Sequence, residues 1–97
     1  MKRPRSRGAS LHNWLDRWTM ADSGALECDF SFRGYRDAIR FVNLVAREAE
    51  EQDHHPEMTV GYDKVRVSLI THDIGMVSVR DHRLGEAITR IYIDMEE

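Results

Sequence analysis

Cysteine is almost missing from this chain of 97 residues, and the single Cys28 cannot build a disulfide framework. A reducing, cytoplasmic setting is the expectation. Two prolines and six glycines are too few for a low-complexity or linker-rich chain. No apolar run approaches membrane-spanning length and no charged-then-apolar leader opens the sequence, so no membrane partner is expected. Basic residues are also scarce outside one place. Lys2, Arg3, Arg5 and Arg7 supply four of the fourteen Lys and Arg, which leaves the rest of the chain with ten against seventeen acidic side chains. A body of that sign is a poor partner for a phosphate backbone, and nucleic acid is disfavoured. The basic stretch reads as a disordered, solvated tail over residues 1–9, ahead of a single domain at 10–97.

Hydrophobic periodicity supplies the elements. Leu11, Trp14, Leu15 and Trp18 recur at helical spacing, predicting a short amphipathic helix from Ser10 that presents both tryptophans to the core. Asp22-Ser23-Gly24 marks a turn, before which residues around Trp18 to Ala21 form one arm of a hairpin; the other is Leu26 to Phe32, where apolar and polar residues alternate. The longest helix is expected over Tyr35–Gln52, with Tyr35, Ala38, Ile39, Val42, Val45, Ala46 and Ala49 as its apolar stripe, flanked by Phe41 and Leu44. Pro56 disfavours helical geometry at His55, so His54 and His55 fall in the exit turn. A second hairpin, Met58 to Tyr62 and Val65 to Thr71, follows. Ser78 and Asp81 then resemble a capping box opening a helix striped with Leu84, Ala87, Ile88, Ile91 and Met95. The expected class is α+β: a four-stranded antiparallel sheet with three helices packed on one face, in the order α-β-β-α-β-β-α. Open sheet edges suggest self-association.

The chemistry concentrates between Glu50 and Asp81. Three imidazoles, His54, His55 and His72, stand at the edges of regular elements, and histidine is the side chain whose charge changes near neutral pH. Adjacent histidines diverge, so His54 and His55 do not suit one metal, and no partner cysteine is at hand. No serine or cysteine in a recognisable turn offers a nucleophile. Singly, each group has a plainer role: His54 at a helix end, His72 at a strand end, Asp81 in a cap.

Together they resemble a family. Glu50, then His54-His55-Pro56, the aromatic Tyr62, His72 and Asp81 fill without a gap the signature of the pterin-4a-carbinolamine dehydratases, also known as dimerisation cofactors of a homeodomain transcription factor. The likeness runs from Trp18 through Phe30-Ser31-Phe32, Tyr35 and Ala38, and on through Arg80 to Leu84. It implies three helices on a four-stranded antiparallel sheet, assembly as a homodimer or homotetramer, and removal of water from 4a-hydroxytetrahydropterin without metal or organic cofactor. By the same resemblance His54, His55 and His72 are the acid-base set, Glu50 and Asp81 orient or charge-tune them, and Trp18, Pro56, Thr71 and Arg80 bind the pterin.

The chain departs from the family's usual residues at Met58, Val60, Gly61, Ile70 and Met76, around the expected slot but at none of the proton-transfer groups. Relatives on this fold have been recruited as binding proteins, so the alternative is a catalytically silent protein that binds a protein partner, such as a RuBisCO assembly factor or a transcription-factor dimerisation cofactor. A third reading is a nucleic-acid-associated factor acting through the tail.

Overall fold

The computed structural model describes residues 13–96. The basic tail expected at 1–9, and Leu11 with it, lie outside those residues. A 3-10 helix, Trp14–Arg17, leads into strands β1 (Thr19–Met20) and β2 (Leu26–Ser31), helix α1 (Tyr35–Gln52), strands β3 (Glu57–Val60) and β4 (Lys64–Leu69), and helix α2 (Val79–Glu96). The strands form one antiparallel sheet in the order β1-β2-β4-β3. Among the described residues no helix is long and apolar enough to cross a membrane.

Among the described residues two α-helices cover the sheet where three were expected. The stripe from Leu11 to Trp18 does not continue as a helix, because Trp18 is extended (φ -108°, ψ 149°) and the next residue, Thr19, already pairs with Glu27. Sheet pairing therefore overrides the helical period. Leu15 is left exposed, while Trp18 reaches the core from extended backbone. Its indole N–H donates to Thr89 Oγ1 on α2 at 3.0 Å, and its ring meets Trp14 and Phe30 edge-on. Trp14 settles where α2 has no side chain: a Cβ added at Gly85 would stand 2.7 Å from that ring.

Alternation places Leu26, Cys28 and Phe30 of β2 opposite Leu69, Val67 and Val65 of β4, and all six are buried beneath the helices. The second hairpin sits slightly earlier than its pattern suggested, with Tyr62 in the turn and Thr71 beyond β4 in an isolated bridge to Met76. On α1 the buried line is Ala38, Phe41, Val45 and Ala49. Phe41 is thus central, and Tyr35 lies outside the stripe, exposed and stacked on Tyr62. The buried face of α2 adds Thr89, Tyr92 and Ile93 to Leu84 and Ile88.

Candidate functional site

The helices run antiparallel, so the exit of α1 meets the entry of α2. At the exit Asp53 takes left-handed backbone (φ 53°), a conformation aspartate tolerates better than most residues, and its N–H reaches back to the carbonyls of Ala49 and Glu50. Pro56 follows within three residues and cannot continue a helix. The turn aims His54 inward and His55 outward: His54 is 7% exposed, whereas the side chain of His55 is more than half exposed.

Each imidazole has its own carboxylate. His54 Nε2 lies 2.6 Å from Asp81 Oδ1, deep between the helices, and His55 Nε2 lies 2.6 Å from Glu50 Oε2 at the surface. Asp81 is fully buried in the first turn of α2. Its Oδ2 accepts the Thr71 hydroxyl at 2.6 Å and the Ser78 amide at 2.9 Å. Burial pushes this carboxyl up, but the hydrogen bonds from Thr71, His54 and the Ser78 amide, with the charge of His54, outweigh it and hold Asp81 below its ordinary value.

Thr71 is buried and His72, one peptide on, is exposed in a loop that the Thr71 to Met76 bridge closes. Covalent steps and hydrogen bonds therefore link all three histidines: His55 to His54, His54 to Asp81, Asp81 to Thr71, Thr71 to His72. Arg80 extends 3.5 Å to Asp73 over the same loop, and Pro56, next in sequence after His55, is half-buried. Trp18, by contrast, is committed to the core through Thr89. Ser78 was read in the sequence only as a cap. Its hydroxyl also lies 2.6 Å from that of Thr71, a contact whose one sequence signal is the spacing of Ser78 and Asp81 within a capping box.

A cleft of about 590 Å3, walled by Phe32, Arg33, Asp37, Arg40, Tyr92 and Met95, opens at the other end of the helix pair. It is roughly 20–25 Å from the histidines along α1, at 1.5 Å per residue.

A family profile described as Pterin 4 alpha carbinolamine dehydratase matches residues 4–91. The chain belongs to that family. Among its pterin-4-alpha-carbinolamine dehydratase relatives, a protein of Rhodospirillum rubrum named as a candidate dehydratase is 41% identical over 75 residues, covering 76% of this chain and 78% of that one. A second, from Paraburkholderia xenovorans and named likewise, is 40% identical over 83 residues, 86% of this chain and 83% of its own. The fold matches the crystal structure of a transcriptional coactivator/pterin dehydratase from Brucella melitensis with a TM-score of 0.78 and 29% identity, over 95% of this chain and 99% of that one. A pterin dehydratase-like protein described as a RuBisCO assembly factor of the alpha-carboxysome shares the fold, with a TM-score of 0.67 and 18% identity over 77% and 88% of the two chains.

Proposed function

We propose that this chain dehydrates 4a-hydroxytetrahydropterin to the quinonoid dihydropterin, as a step in pterin recycling. The reaction breaks the bond from C4a to the hydroxyl oxygen, which leaves as water after gaining a proton, while N5 gives up its proton to a base. One acid and one base suffice, and imidazoles with a reference pKa near ~6.5 serve as either at neutral pH. The observation that carries the reading is the buried His54–Asp81 pair, an imidazole oriented by a carboxylate held ionised. Within it, His54, His55 and His72 are the acid-base set, Glu50 and Asp81 orient them, and Pro56, Thr71 and Arg80 border the pterin. No metal or organic cofactor enters the scheme.

The test is the decay of synthetic 4a-hydroxytetrahydropterin. The protein is expected to accelerate it, and His54→Ala or His72→Ala to lower kcat by roughly 10²–10⁴-fold, the usual worth of a general acid or base. Decay at the buffer rate with folded wild-type protein would remove the activity.

A second reading, a binding protein without turnover, has its own support. Ile74, Met76 and Val79 are all more than half exposed around the His72 loop, an apolar group suited to a protein partner. That reading expects a dominant partner in pulldowns whose capture survives both histidine substitutions and fails with Met76→Glu.

A further inference from the structure

We propose that Ser78 is a positioning residue: through Thr71 and Asp81 it holds His54 in the tautomer protonated at Nε2, making Nδ1 the atom through which His54 exchanges protons. This rests on the reading of His54 as an acid-base group.

The argument is a count of protons. Asp81 is held ionised and can only accept, so the 2.6 Å contact at Oδ1 requires the hydrogen to sit on His54 Nε2. The single hydroxyl proton of Thr71 goes to Asp81 Oδ2. Its 2.6 Å contact with Ser78 must therefore be filled by the proton of Ser78, while the Ser78 oxygen accepts the Arg80 amide at 3.2 Å. Every hydrogen in the row points toward the carboxylate. Loss of the Ser78 hydroxyl frees Thr71 to turn its proton away, and Asp81 then loses one of the donors that fix its orientation toward His54.

The far side of the ring completes the case. Asp81 takes His54 at Nε2. With Nε2 engaged by Asp81, Nδ1 is the other ring nitrogen of this buried residue. In the neutral ring that atom carries a lone pair. Nδ1 is therefore the nitrogen able to accept a proton, as the departing N5 proton requires.

The test combines nitrogen-15 spectra of histidine-labelled protein, recorded without substrate at about pH 8 where a reference imidazole is neutral, with steady-state kinetics. Wild type is expected to show His54 protonated at Nε2 and bare at Nδ1. Ser78→Gly removes the hydroxyl at a helix-start position that glycine tolerates well. It is expected to populate both tautomers and to lower kcat roughly tenfold with KM little changed, the lower end of the usual cost of losing an orienting partner. Ser78→Thr, which restores a hydroxyl, should rescue both readouts. Should Ser78→Gly fail to fold, Thr71→Val breaks the same row and is read by the same spectra. A wild-type ring protonated at Nδ1, or a wild-type tautomer in the variants, overturns the proposal. Absence of turnover in wild type would instead remove the dehydratase reading while the spectra still decide the role of Ser78.

Discussion

Asp81 has no surface in contact with water, yet its donors keep it charged, and that combination ties the fold to pH. Its folded pKa lies below the unfolded value, so as the solution is acidified the unfolded chain takes up the proton first. The stability Asp81 contributes is fully present above the ordinary carboxylate range near ~3.9 and is lost as pH falls through the depressed folded value. Urea midpoints measured from neutrality into acid should therefore decline for wild type. Asp81→Asn should start lower and show a flatter acid limb; parallel curves for the two proteins would mean that another group governs the decline. Cys28 shows the opposite balance. Burial pushes its thiol up to about 11, against a lowering by Arg17 and a smaller raising by Asp29, which leaves it protonated and inert at neutral pH.

At the scale of elements, the contact that most deserves a measurement is the one tying the first segment to α2. Thr89→Val keeps the shape of the side chain but leaves the buried Trp18 N–H without an acceptor, at a cost of about 1–3 kcal/mol. Thr89→Ser, which keeps the oxygen, should cost less; denaturant midpoints at unchanged m-value would check both. This contact also marks the limit of what the sequence discloses. The span of α1 and the placing of His54 and His55 in its exit turn follow from a 3.6-residue period ended by Pro56. The period does not reveal which residue centres the buried face, and Phe41 took the place expected of its neighbours. Nor could it show that Trp18 belongs to extended backbone, since that depends on pairing with β2 farther along the chain. At the candidate site the residue types were legible. Which carboxylate holds which imidazole was not, because Asp81 and His54 are 27 residues apart and meet only when the helices pack.

Across the whole molecule, the sheet formed by the described residues ends in β1 on one side and β3 on the other. β1 has only two residues, whereas β3 offers four, ending at exposed Val60 near the stacked pair of Tyr35 and Tyr62. The outer face is polar, with Arg66 paired to Asp29 at 2.7 Å across neighbouring strands. Unpaired strand edges favour addition of a further strand, and closed two-fold assembly is the usual outcome. Light scattering at micromolar concentration should therefore return two or four times the 11.3 kDa chain mass; a monomer at every concentration would refute self-association.

The protein has two tryptophans, and both rest on one face of α2, Trp14 over Gly85 and Trp18 on Thr89. Indole fluorescence is thus a local gauge, sensitive to whether residues 14–18 stay seated and nearly blind to the sheet's far edge. In a thermal melt, emission that shifts before far-ultraviolet ellipticity would identify that segment as the first to peel away.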